Sequence, residues 1–143
     1  MTMLAVVRLR GVARPGVESA DTLSMLNLRR ANHCALIADN ATSRGMLDKV
    51  KHFITYGEVS EGTAKKLIMK RARKSGDAKL SEKEAAELAK ALAKAQTFQG
   101  TGVKPFFRLS PPSGGFKSVK LPYPRGDCGY RGEAINKLLE RML

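Results

Sequence analysis

Apolar and polar positions alternate with different periods along the chain, and the periods predict its elements. The run Leu4-Ala5-Val6-Val7 passes into the alternation Arg8-Leu9-Arg10, the spacing of a strand. Gly11 to Gly16, with Arg14 and Pro15, breaks it as a loop. Ser19 or Asp21 can cap the next element, a helix in which Leu23, Leu26 and Met25 or Arg29 fall three and four residues apart. Arg29-Arg30 then stand at its end, where cations suit the negative pole of the helix dipole, and Asn32 stops it. His33 to Ile37 predicts a second strand, turned by Asp39-Asn40. Thr42 or Asn40 can cap a second helix through Met46, Leu47, Val50 and Lys51. Phe53-Ile54-Thr55-Tyr56 predicts a third strand closed by Gly57, so the order is strand, helix, strand, helix, strand.

The remainder changes character twice. Ser60 opens a basic helix with Ala64, Leu67, Ile68 and Ala72 as a narrow apolar stripe, broken at Ser75-Gly76-Asp77. Ser81-Glu82-Lys83-Glu84 is a capping box, since Glu84 can reach back to the Ser81 amide. The helix it starts carries Ala85, Leu88, Ala89, Leu92 and Ala95 on one side and ends near Gln96. Val103 to Leu109 predicts a further strand, followed by a Gly- and Pro-rich stretch from Ser110 to Gly132. A loop of that length in a compact domain is either functional or disordered when free. A last helix, Glu133 to Met142, places Ile135, Leu138, Leu139 and Met142 at core spacing.

Composition adds one dominant fact. Within 143 residues, 26 Lys and Arg face 13 Asp and Glu, a surplus of +13 with a sequence pI of about 10.2. The longest apolar runs, Met3–Val7 and Cys34–Ala38, are far short of the roughly 20 residues of a membrane span or the about 7 to 15 of a signal-peptide core, so transmembrane and secreted readings are excluded. Cys34 and Cys128 lie far apart without a C-x-x-C pair, the pattern of reduced thiols in a cytoplasmic protein rather than of a disulfide or zinc site. A surplus of this size repels itself unless a polyanion neutralises it, and nucleic acid is the commonest one.

Each chemistry-bearing residue also admits a plainer role. His33 and Cys34 are neighbours on a strand, so they point to opposite faces and cannot pair as base and nucleophile. A small enzyme using either residue is thus the weakest reading, and no cofactor or metal is expected. Gly114-Gly115-Phe116-Lys117-Ser118 lacks the first glycine of a phosphate loop. Between Lys65 and Lys79 there are seven basic residues and one acid, Asp77. Like charges crowded on one helix destabilise it unless phosphates lie opposite, the alternative being a solvated face. From Lys104 to Arg131 the balance is six cations to one acid. Glycines there let amides approach phosphates, and Phe116, Tyr123 and Tyr130 could stack on unpaired bases or pack on the body. The candidate contacts are Arg8, Arg10, Arg14, Arg29, Arg30, His33, Arg44, Lys65, Lys66, Lys70, Arg71, Arg108, Lys117, Lys120, Arg125 and Arg131, expected to form a continuous edge.

Several stretches resemble the large-subunit ribosomal protein thirty family, whose eukaryotic relative is numbered seven. They are Val7-Arg8-Leu9-Arg10-Gly11, Asp21-Thr22-Leu23-x-Met25-Leu26-Asn27-Leu28, Arg29-Arg30-Ala31-Asn32-His33 and Ser43-Arg44-Gly45-Met46-Leu47-x-Lys49-Val50. Phe107-Arg108-Leu109-x-Pro111-Pro112-x-Gly114-Gly115 and Val119-Lys120-x-Pro122 resemble the carboxy-terminal loop of the longer archaeal form, while residues 60–100 match mainly in being helical. The resemblance implies an α+β fold, with a three-stranded sheet and two helices on one face in ferredoxin-like fashion. Residues 1–58 are then the family core and 59–143 an archaeal extension. It implies no catalysis. The partners it implies are large-subunit ribosomal RNA, 5S ribosomal RNA that the protein helps attach, and neighbouring ribosomal proteins, in a cytoplasmic ribosome and with no membrane. The expectation is therefore a structural constituent of the 50S subunit, with the 110–131 loop ordering on assembly. A free-standing regulatory RNA- or DNA-binding module is the rival.

Overall fold

The computed structural model describes residues 3–11, 16–95 and 102–143. In chain order the elements are β1 (Met3–Arg8), α1 (Val17–Met25), β2 (His33–Ala38), α2 (Ala41–Val50), β3 (Ile54–Glu58), α3 (Glu61–Arg71), α4 (Glu82–Ala95), β4 (Phe107–Arg108), β5 (Gly129–Tyr130) and α5 (Ala134–Met142). The sheet order is β4-β2-β1-β3-β5. β1 pairs antiparallel with β2 and β3, β4 runs antiparallel to β2, and β5 runs parallel to β3. The expected three-stranded α+β core is therefore present, and two short edge strands from the second segment widen it to five.

β1 sits in the middle, and its alternation sorts side chains onto two buried faces. Leu4 and Val6 join Ala35 and Ile54 beneath Leu23, Leu26 and Leu28 of the first helical region and Leu47 and Val50 of α2. Ala5 and Val7, both fully buried, join Cys34 and Leu36 on the opposite face, under Leu67 and Ile68 of α3, Leu88 and Leu92 of α4, and Ile135, Leu138 and Leu139 of α5. A near-continuous apolar run is what a strand covered on both sides requires. The second segment thus roofs the face that α1 and α2 leave open.

Local details depart from the expected boundaries for identifiable reasons. α1 begins after Gly16 rather than at Ser19 or Asp21, and it ends at Met25, so Arg29 and Arg30 lie in the following loop and not on its last turn. Asn27 takes a φ of 61°, which reverses the chain and lets both Leu26 and Leu28 reach the core. Asn40 occupies the cap position of α2 without a side-chain bond, whereas the Ser60 hydroxyl accepts the Thr63 amide at the start of α3. α3 stops at Arg71, and the next residues form bridges, Arg73 with Lys79 and Lys74 with Val103. The strand expected from Val103 to Leu109 is reduced to Phe107–Arg108, Pro105 having no amide to give a ladder. Gly57 lies inside β3 instead of closing it, and a Cβ there would lie 2.0 Å from the Gly132 carbonyl oxygen. That close approach is how the start of α5 is drawn against the sheet. No helix among the described residues is long and apolar enough to cross a membrane.

Candidate nucleic-acid interface

The β4 edge of the sheet gathers a cluster of cations. β4 sets Arg108 opposite His33, the first residue of β2. The Phe106 ring stacks on His33 with centroids 5.2 Å apart and planes 15° from parallel. Lys104 Nζ and the Arg108 guanidinium lie 6.0 and 5.8 Å from the Phe106 centroid. Arg71, from the end of α3, donates to the Ser110 hydroxyl at 2.9 Å, and Arg73 follows it in the chain. These cations, Phe106 and Asp77 line a cleft of about 250 Å³. Asp77 accepts from Lys104 at 2.6 Å and lies 3.7 Å from Arg108. Its carboxyl is held below the usual range, first by the Lys104 hydrogen bond and then by the charges of Lys104, Arg108 and Arg73. Burial, then the cations Arg108, Arg30 and Arg8, push the His33 imidazole below its ordinary pKa. At neutral pH it is an uncharged flat surface, with Nδ1 buried and unbonded among the described residues.

The 110–131 stretch is tied to the body rather than standing away from it. Its first part bonds to α5, through the Ser110 amide to the Met142 carbonyl and the Ser113 amide to the Arg141 carbonyl. Its second part closes on Asp127, whose carboxylate accepts the Lys117 amide at 2.6 Å and Arg131 Nη2 at 2.6 Å. Arg131 Nε donates to the Thr55 hydroxyl at 2.8 Å, and Cys128 Sγ lies 2.8 Å from the Val119 carbonyl oxygen. Lys117, Lys120 and Arg125 remain exposed on this frame. Of its aromatics, Phe116 packs against the core. Tyr130 leans on Tyr56 at 5.5 Å and donates to Glu58, while the exposed Tyr123 ring lies 5.3 Å from the Arg131 guanidinium.

The expected single edge consequently divides. Arg8, only 6% exposed, donates to the Leu28 and Arg10 carbonyls, and Arg131, 8% exposed, is committed to Asp127 and Thr55; both cations serve the interior. Arg10 is half-buried, its guanidinium 5.1 Å from the Phe53 ring. Arg44 is exposed, but Asp39 takes it in two bonds of 2.5 and 2.7 Å, and it stands in a separate cleft with Asp48, Tyr56 and Tyr130. Lys65, Lys66 and Lys70 project from α3, Lys66 reaching Glu140 at 3.3 Å. Arg29 and Arg30 are exposed in the loop that leads to His33. Arg14 lies outside the described residues. Arg73, Lys104 and Phe106 are the cleft residues the sequence reading did not single out. The period-two spacing of Lys104, Phe106 and Arg108 carried a signal for one shared face. Their position beside His33 comes only from a strand pairing across some 75 residues of chain.

Both thiols are sequestered. Burial pushes the Cys34 thiol up to about 12, so it is not a nucleophile at neutral pH, and burial also raises Cys128. No group of three or more His, Cys, Asp or Glu among the described residues could hold a metal ion.

Comparison with known proteins places this fold among named relatives. A family model described as Ribosomal protein L30p/L7e matches residues 4–54. Large ribosomal subunit protein uL30 of Methanosphaera stadtmanae is 41% identical, covering 99% of this chain and 100% of the relative. The proteins of the same name from Archaeoglobus fulgidus and Methanococcus vannielii are 40% and 42% identical, covering 98% and 97% of this chain and 99% and 98% of theirs. With identity of this level running over nearly the whole chain, and with a family model that runs from β1 through α2 to the first residue of β3, the chain belongs to the ribosomal protein L30p/L7e family.

Proposed function

We propose that this protein is a structural constituent of the large ribosomal subunit and that it binds large-subunit ribosomal RNA by neutralising phosphates. The observation that carries the reading is where the charge lies. Of the 26 cations, 18 fall after residue 58, against 8 of the 13 acids, so the second segment holds +10 of the +13. Much of it is exposed and, among the described residues, without an acidic partner, as at Lys65, Lys70, Lys117, Lys120 and Arg125. Phosphate contacts position a protein without reading sequence, and little base-edge readout is expected of such a surface. The name shared by the archaeal relatives supports the same assembly. The family resemblance extends the proposal to helping attach 5S ribosomal RNA and to contacts with neighbouring ribosomal proteins.

Each neutralised phosphate releases counterions, so affinity falls steeply with salt. Binding of the wild type and of the double variant Lys117→Ala/Lys120→Ala to a large-subunit RNA fragment, measured across salt concentrations, tests this directly. The variant is expected to flatten the logarithmic salt slope by about 1 to 2. An unchanged slope removes the loop from the RNA contact. Co-sedimentation with the large subunit at moderate salt separates a resident constituent from a free-standing RNA- or DNA-binding module, which washes off. Omitting the protein from subunit reassembly tests the 5S part, with loss of 5S retention as the expected result.

A further inference from the structure

The cleft between the end of α3 and β4 holds more than phosphate binding asks for. Four cations, Arg71, Arg73, Lys104 and Arg108, share it with a single acid, Asp77. Asp77 is spent in holding Lys104 and Arg108 in place, which leaves a surplus of three positive charges inside a recess of about 250 Å³. Among them stands Phe106, partly exposed and stacked on His33, with its ring recessed where a surface lysine would serve phosphate equally well. Paired bases in an A-form helix offer edges to a protein, whereas an unpaired base offers a face that stacks on aromatic side chains. Stacking is tolerant of base identity and works beside cations that track the backbone.

We propose that this cleft receives one unpaired ribonucleotide of the RNA, its base against Phe106 and its flanking phosphates on Arg71, Arg73, Lys104 and Arg108. The inference rests on the RNA-binding reading above and assigns to one place on the molecule a single-stranded contact that the loop lysines do not make. Arg30, exposed, is tied to His33 through its carbonyl, which accepts the His33 amide at 3.4 Å.

The test uses the whole protein with two probes, a single-stranded RNA hexamer carrying 2-aminopurine and a blunt-ended RNA duplex. Wild type is expected to bind both and to change the 2-aminopurine fluorescence as the base stacks. Phe106→Leu keeps an apolar side chain of similar bulk but removes the π-face. It is expected to weaken hexamer binding roughly five- to a hundredfold while duplex affinity stays within about twofold. Arg73→Gln leaves the ring in place and is expected to keep the fluorescence change while flattening the hexamer salt slope by about 0.7. An unchanged hexamer affinity in Phe106→Leu, an equal loss on both probes, or an unchanged slope in Arg73→Gln overturns the cleft assignment while duplex binding leaves the RNA reading standing. Failure of the wild type to bind either RNA overturns both. Displacement of the hexamer by micromolar AMP gives the cleft to a free nucleotide and overturns the proposal as well.

Discussion

Asp127 and Arg131 show how a cation that looks available in the sequence is consumed by the fold. Their side chains are 7% and 5% exposed and bonded at 2.6 Å, and together they close the loop on Thr55 of β3 and on the Lys117 amide. Removing one partner of such a pair strands the other charge in a poorly solvated place, which costs far more than the intact pair contributes. Asp127→Asn is therefore expected to lower unfolding free energy by about 3 to 5 kcal/mol in urea denaturation. Adding Arg131→Met to that variant removes the stranded charge, so part of the loss should return. A double variant no more stable than Asp127→Asn alone would show that the charge was solvated after all. Arg8 follows the same logic, its guanidinium turned inward to the Leu28 carbonyl. Burial holds its pKa below the ordinary arginine value, yet no acid is needed because the Leu28 and Arg10 carbonyls take its bonds.

At the scale of elements, the signals that survived were local ones. The Ser81–Glu84 box forms as read, with the Ser81 amide donating to Glu84 at 3.0 Å and the Glu84 amide to the Ser81 hydroxyl at 3.4 Å. Lys74, just after α3, adds a 2.6 Å bond to the same carboxylate and so ties α3's exit to α4's start. The Lys74 bond first, then the Ser81 amide and hydroxyl, hold the Glu84 carboxyl down to about 2. A depressed carboxylate favours the fold while ionised, so its contribution is complete above the ordinary value of 4.5 and is lost as pH falls toward 2. Melting temperature measured from pH 6 to pH 2 should fall more for wild type than for Glu84→Gln, the two curves converging at the acid end. Parallel curves would mean that the carboxylate is not held by folding. Such caps are legible because every partner lies within a few residues. The pairing of His33 with Arg108 and of Tyr56 with Tyr130 was not, because two-residue strands carry no periodicity and their partners lie 75 and 74 positions away. The first three strands and both their helices could be read because each has enough apolar positions to show a period. The cleft could not, since it exists only where the end of α3, the loop after it and the 104–108 stretch converge.

The whole molecule is organised around a strand that neither half of the chain can cover alone. β1 sends Leu4 and Val6 to one side and Ala5 and Val7 to the other, and β2 does likewise with Ala35 against Cys34 and Leu36. Residues 1–58 contain the helices for the first face only. Among the described residues the cover for the second comes from beyond them, from α3, α4 and α5, with Phe107 fully buried at the edge. Those covering helices carry +4 of the surplus and the stretches that join them +6, so the same segment that completes the core supplies most of the charged surface. Core completion and charge display are therefore coupled, and a truncation that removes one removes the other. A fragment of residues 1–58 would expose Ala5, Val7, Cys34 and Leu36 together as an apolar patch, which is a route to association. We expect it to bind a hydrophobic dye, to lose the cooperative melting of the full chain, and to leave Cys34 open to alkylation at mildly alkaline pH. The intact protein should resist that alkylation until it unfolds, its thiol being buried and raised to about 12. A monomeric, cooperatively melting fragment with an unreactive Cys34 would mean that the first segment finds another cover for this face, and the second segment would then be an addition rather than half of the core.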